Sequence, residues 1–209
     1  MLKGLVIDNG IGAVDSFPSQ PPWRMESVKT GPDFELRRRD CQLLIVPNGC
    51  DHVALWRVRH EIRQFLDDGG SLFCFCGWFT AWVPGNRWVH DNTHPTREAR
   101  HFPRPDPRKL LDQVDLAPLD HNSHGISGWW ACGYIETQDM NNALIVDAWG
   151  RPLVVADETT TRGFMFLTAS GPLGEYTYGE DSRCLRVLYH NALRYAAARA
   201  ACLVSGDTT

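Results

Sequence analysis

The stretch from Gln42 to Cys76 narrows the fold of this 209-residue chain more than any other. Gln42 to Val46 is an apolar run closed by Pro47-Asn48-Gly49, the pattern of a strand that ends in a turn. From Val53 to Leu66 the residues Leu55, Val58, Ile62, Phe65 and Leu66 recur at helical spacing. Arg57, Arg63 and Gln64 lie off that face, and Gly69-Gly70 stops the helix. Ser71 to Cys76, SLFCFC, is then almost wholly apolar, as a strand covered on both faces must be. Strand, helix and strand within roughly 35 residues make a βαβ unit, which demands a parallel sheet with a right-handed crossover.

The remaining pattern can be laid around that unit. Gly4 to Ile7 reads as a first strand meeting a turn at Asp8-Asn9-Gly10. Pro18 to Pro32 and the polar stretch from Pro84 to Pro107 read as irregular chain, and Pro107 to Val114 as a short helix. Strands are expected at Cys132–Glu136, Ala143–Val146, Leu153–Ala156 and Gly163–Thr168, followed by a helix from about Asp181 to Ala198. Residues 1–203 form one domain in this reading, and 204–209 a frayed tail. The fold class expected is α/β: a flavodoxin-like, doubly wound, mainly parallel sheet with helices on both faces.

Charge and cysteine usage narrow the setting. A formal charge of −4 opposes a dominant phosphate-binding surface, so no nucleic-acid partner is expected. The seven cysteines form no CxxC pair, and several sit inside apolar runs, which suits reduced thiols in the cytoplasm. MLKGLVIDNG lacks a long apolar core or cleavage site, and no apolar run is long enough to span a membrane. The expectation is a soluble cytoplasmic protein.

DCQLLIVPNG, an amphipathic helix and DDGGSLFCFCGW together resemble the core of the class I glutamine amidotransferase-like superfamily. The closing GRPLVVADETTTRGFMFLTAS, with its final helix, is similar to the trehalose-utilisation-like branch. The resemblance implies that Pro47-Asn48-Gly49 is the oxyanion turn and that Cys76 stands at the nucleophile position. Backbone amides of Gly49 and Gly77 would then face an oxyanion. It also implies a His and a Glu after a late strand, where this chain has Thr168-Ala169-Ser170. A thiol without a base stays protonated at neutral pH, so a glutaminase triad is missing. Glu175, after the last strand, is the candidate replacement base, set against an exposed loop carboxylate. Cys74 is read as core.

Other groups invite function without specifying it. His121 and His124, and the stretch His90 to His94 with His101 beyond, carry metal-ligating side chains but match no zinc signature. Solvated polar loops are the competing reading, and no cofactor is implied. Asp8-Asn9-Gly10-Ile11-Gly12 lacks the third glycine of a dinucleotide fingerprint. Trp78, Trp82, Trp88, Trp129 and Trp130 adjoin turn-rich sequence; core packing is the default for any single Trp, but at least two of the five, with Asn48, are expected to build a ligand- or partner-facing surface. The resulting expectation is a non-glutaminase domain. It binds a partner protein, a second copy or a small polar ligand at the C-terminal edge of its sheet. The rival is a cysteine-dependent hydrolase or lyase using Cys76.

Overall fold

The structure, a computed structural model, describes residues 1–10, 13–37, 39–75, 77–91, 93–95, 98–120, 131–170 and 183–205. Its strands are β1 (Leu2–Asp8), β2 (Trp23–Lys29), β3 (Leu43–Val46), β4 (Ser71–Phe75), β5 (Asn86–His90), β6 (Phe102–Pro103), β7 (Gly133–Thr137), β8 (Ala143–Val146), β9 (Pro152–Asp157) and β10 (Phe164–Thr168). The helices are α1 (His52–Arg57), α2 (Arg59–Asp67), α3 (Ala117–Asp120) and α4 (Arg183–Ser205). An eight-stranded sheet runs β2-β1-β3-β4-β10-β9-β8-β6, and β5 and β7 form a separate antiparallel pair. From β2 to β10 the neighbours are parallel; β9, β8 and β6 then continue the sheet antiparallel.

Alternating side chains divide the core between the two faces of this sheet. Leu5, Ile7, Leu44, Val46, Leu72, Cys74, Met165 and Leu167 pack with Leu55, Ile62 and Leu66 of α1 and α2. Val6, Leu43, Ile45, Phe73, Phe75, Phe164 and Phe166 pack with Leu188, Tyr189, Ala192 and Ala196 of α4. Every residue of β3, β4 and β10 is buried, which is why their sequences are continuously apolar. Each fully buried aliphatic or Phe side chain contributes about 1.5–3 kcal/mol. Cys74 lies in the core as expected.

The βαβ unit is as its sequence demands: β3 and β4 are parallel neighbours, with helix between them. That helix is broken at Val58 (φ −98°, ψ 15°), so it forms α1 and α2 rather than one rod. Other expectations need correction. The Pro18–Pro32 segment holds a full strand, β2, paired with β1 from Leu2↔Trp23 to Asp8↔Lys29. It is an edge strand with a half-polar surface, so backbone pairing rather than apolar pattern makes it. The stretch Pro84–Pro107 likewise contains β5 and β6.

Pro107–Val114 is a run of turns, not a helix, with Lys109 (φ 57°) and Gln113 (φ 58°) in the left-handed region. Asn191 of α4 donates to the Leu110 and Asp112 carbonyls, which ties these turns to that helix. Helix α4 extends through Ser205, so Val204 and Ser205 belong to it rather than to a tail; Asp181, Ser182 and 206–209 lie outside the described residues.

One polar knot joins the ribbon to the main sheet. Asp157, fully buried at the end of β9, accepts from Asn86 Nδ2 at 2.8 Å, Asn142 Nδ2 at 3.1 Å and Thr160 Oγ1 at 2.6 Å. It also accepts from the Thr159 and Thr160 backbone N–H groups. Burial pushes the Asp157 carboxyl pKa up, but these donors outweigh it and hold it below the usual range. A depressed folded pKa contributes stability that is complete above about pH 5 and lost as pH falls through the folded value. Asp157→Asn is expected to cost about 1–3 kcal/mol at neutral pH and to flatten the acid limb of the stability profile. Urea unfolding between neutral and acid pH checks both; an unchanged acid limb would show that Asp157 is not the titrating group.

Candidate functional site

In a parallel sheet, a ligand crevice forms where successive connections leave in opposite directions. Here β1 connects to β2 on one side, while β3 lies on its other side, so the switch point falls between β1 and β3. Two turns meet there, Asp8-Asn9-Gly10 and Pro47-Asn48-Gly49. Asn9 Nδ2 donates to the Asn48 carbonyl at 2.8 Å, and Asp8 Oδ1 accepts from the Gly10 N–H at 2.8 Å. Gly49 (φ 78°) and Gly77 (φ 70°) both adopt backbone that favours glycine. A Cβ built on Gly77 would lie 3.9 Å from Asn48 Oδ1, so the turn after β4 abuts the turn after β3. Among the described residues, none accepts a hydrogen bond from the N–H of Asn48, Gly49 or Gly77.

Asp51 caps α1, accepting from the Val53 and Ala54 N–H groups at 3.0 Å each. That cap fixes the next residue, His52, beside the crevice. Trp82 Nε1 donates to His52 Nδ1 at 3.1 Å, and the two rings stack with centroids 6.0 Å apart. Thr80 Oγ1 donates to the His52 carbonyl at 2.9 Å, tying the chain after β4 to α1. Phe79 meets His52 edge-on at 6.4 Å and Trp88 at 5.0 Å, yet remains 76% exposed. Val53 and Trp56, adjacent on α1 at helical spacing, are exposed too. Burial holds the His52 imidazole below its ordinary pKa, against the opposite pull of Asp51.

The expected residues divide three ways. Asn48 and Gly49 lie in the turn that abuts the Gly77 turn at the edge. Cys76, Glu175, His121, His124, Trp129 and Trp130 lie outside the described residues. Trp78 and Trp82 are 2% exposed, and with Trp88 they pack in the core, so the apolar surface expected of them is not theirs. The reason is the β5–β7 ribbon, whose Trp88 and Ile135 join the same cluster and cover them. The exposed aromatic of this segment is Phe79. His52 escaped notice in the sequence; its one signal there is a His directly after a capping Asp at the turn that closes a strand.

Two of the described histidines of the polar loops, His94 and His101, are engaged with carboxylates. His94 Nδ1 lies 3.1 Å from Asp91 Oδ2, and Asp91 also pairs with Arg151. His101 Nδ1 lies 2.7 Å from Asp120 Oδ1, which joins the two His-bearing stretches. Among the described residues, no group of three or more His, Cys, Asp or Glu is placed to hold a metal. Two cavities open near the other edge of the sheet. One, of about 580 Å³, is lined by Leu36, Cys41, Phe65 and Leu203 with Arg39 and Asp40. Another, of about 430 Å³, lies between Trp23 and α4. Neither includes a residue of the turns after β1, β3 or β4.

No protein-family model and no curated protein matches the sequence. Among solved structures, a cytoplasmic protein, STM1381 from Salmonella typhimurium LT2, is similar in fold, with a TM-score of 0.54 at 10% identity. The alignment covers 90% of this chain and 99% of that one. A looser likeness, at TM-score 0.39 and 13% identity, is to the exo-beta-1,4-mannosidase Op5Man5 from Opitutaceae bacterium strain TAV5; it covers 86% of this chain and 28% of that one. The first supports an α/β fold alone; the second carries no weight. Among the described residues, no helix is long and apolar enough to cross a membrane.

The thiols near these features differ sharply in character. Burial, reinforced by Asp8 and Asp51, pushes the Cys50 thiol up to about 12. Burial likewise raises Cys41 to about 12, while Cys132 and Cys202 are exposed. Iodoacetamide at about pH 8 should therefore alkylate Cys132 and Cys202 more than about tenfold faster than Cys50 or Cys41. Peptide mass spectrometry against time reads the order, and a Cys50 rate matching that of Cys132 would contradict this account of its surroundings.

Proposed function

We propose that the chain is a cytoplasmic binding module: one flavodoxin-like, doubly wound domain, residues 1–203, of the class I glutamine amidotransferase-like superfamily, without glutaminase activity. The parallel order β2-β1-β3-β4-β10 supports the flavodoxin-like reading, as do helices α1–α2 and α4 packing with different core clusters. In this reading a partner, which includes a second copy of the chain, or a small polar ligand is taken at the C-terminal edge. The observation that carries it is Phe79, a large apolar ring left 76% exposed beside the Gly77 turn and next to the switch point. Val53 and Trp56 extend the apolar character along α1. Exposed apolar groups gathered at a ligand edge are more informative than scattered ones.

A second reading, a hydrolase or lyase using Cys76, draws on one specific observation. Gly77 has the left-handed backbone that a sharp turn after a strand requires, and its N–H is not taken by any described acceptor. His52 does not supply that chemistry with a base: its Nδ1 lone pair already accepts from Trp82.

Substituting exposed Phe79 by Ser should change folding stability by no more than about 0.5 kcal/mol, because the ring contributes little to the core. It should nevertheless weaken self-association, measured by light scattering over a concentration series, with Val53→Ser acting in the same direction. Assembly identical to that of the unaltered chain, in a variant with native circular dichroism, would remove the second copy as the occupant of this face. Alkylation of Cys76 that persists well below neutral pH, and is absent from Cys76→Ser, would favour the enzyme instead.

A further inference from the structure

The cavity of about 430 Å³ between Trp23 and α4 lies at the start of β2, the end of the parallel strands remote from Phe79. Its size falls within the range that takes a small molecule, roughly 300–1,000 Å³. Three pieces of chain wall it: Gln20–Trp23, the turn at Asp112-Gln113, and one face of α4. Val187, His190, Asn191 and Arg194 share that face because they recur at three- and four-residue spacing.

Hydrogen bonds hold the walls to one another. Trp23 Nε1 donates to the Leu193 carbonyl at 3.1 Å, joining β2 to α4. Asn191 Nδ2 donates to the Leu110 carbonyl at 2.8 Å and to the Asp112 carbonyl at 2.9 Å, joining α4 to the turns. Asn191 Oδ1 accepts from Arg194 Nη2, so a single buried amide fixes the Asp112 backbone and the Arg194 side chain together. Trp23, Asn191 and Leu193 are buried and make the floor, while Asp112 and Arg194 are exposed at the rim. Beside Asp112, Gln113 adopts left-handed backbone (φ 58°), a conformation that costs energy and gathers at ligand sites.

The two rim charges are opposite in sign and do not meet. Among the described residues, neither the Arg194 guanidinium nor the Asp112 carboxylate is in an ion pair, with the other or with a third group. Burial, then Arg186 and Arg194 one turn away on either side, holds the His190 imidazole below its ordinary pKa, so it lines the cavity uncharged at neutral pH. An anion alone would meet Arg194 but also Asp112, and a cation alone the reverse. A molecule that carries both charges is attracted by both walls. Pro21, Pro22 and Val187 offer an apolar wall to its body.

We propose that this cavity is a binding site for a small zwitterion, its carboxylate held by Arg194 and its ammonium group by Asp112. His190 and Gln113 supply uncharged polar contacts between them. The site is separate from the Phe79 face and does not depend on the reading of that edge.

Proton–nitrogen NMR of the whole chain tests this at the Trp23 indole and Asn191 side-chain amide signals. The probes are proline, which carries both charges, cyclopentanecarboxylate, which carries only the negative one, and pyrrolidine, which carries only the positive one. Proline should shift both signals and bind at least about tenfold more tightly than either singly charged ring. Arg194→Gln should abolish the preference for proline over pyrrolidine, and Asp112→Asn the preference over cyclopentanecarboxylate, each with native circular dichroism. Equal or tighter binding of a singly charged ring to the unaltered chain overturns the zwitterion, whether or not a variant folds. No shift of either signal at about 20 mM proline overturns the site. Proline affinity unchanged in both folded variants overturns the roles given to Arg194 and Asp112.

Discussion

The packing of three wholly buried strands, β3, β4 and β10, between two helical layers is the constraint from which the rest follows. Leu43–Val46, Ser71–Phe75 and Phe164–Thr168 present apolar side chains to both faces, so neither face can be left to water. Helices α1 and α2 cover one side and α4 the other. Because β1, β3, β4 and β10 are parallel, their C-terminal ends reach the same edge. The chain must turn there repeatedly in a small space. Glycines at 49 and 77 and the Asn9–Asn48 hydrogen bond are the local consequences.

The same geometry accounts for the chemistry left at that edge. A strand that stops leaves backbone N–H groups without ladder partners, and a turn with left-handed glycine directs them outward. Asp51 uses its carboxylate to start α1, which brings His52 to the crevice in a fixed register. Trp82, drawn into the core by the β5–β7 ribbon, then meets the imidazole and settles its tautomer. Donors and acceptors are both gathered there, the Asp8 and Asp51 carboxylates among the latter, each engaged with backbone N–H groups of its own turn or helix.

How much of this was legible in the sequence follows from what made each element. The unit Gln42–Phe75 and the strands β8, β9 and β10 could be read because continuous burial writes itself as continuous apolar residues. Strands β2 and β5 could not, because they form by backbone pairing at an edge and in a ribbon, and their side chains stay largely polar or mixed. The Gly49 and Gly77 turns were visible as strand ends. The exchange of roles between Trp82 and Phe79 was not: a few residues past a glycine turn, no local periodicity says which aromatic folds inward. His52 was hidden for a related reason, since its partner Trp82 lies 30 residues away in sequence.

Native-state amide hydrogen exchange tests most directly whether a rigid parallel sheet carries an edge of free donors. If it does, the amides of Leu44, Ile45, Leu72, Phe73 and Phe166 exchange only by global unfolding, with one shared free energy. The N–H groups of Asn48 and Gly49, exposed and without described acceptors, should exchange orders of magnitude faster in the same experiment. Protection of Asn48 and Gly49 equal to that of the central strands would contradict a donor edge open to a ligand. Rapid exchange within β3 and β4 would contradict the sheet that is held to create it.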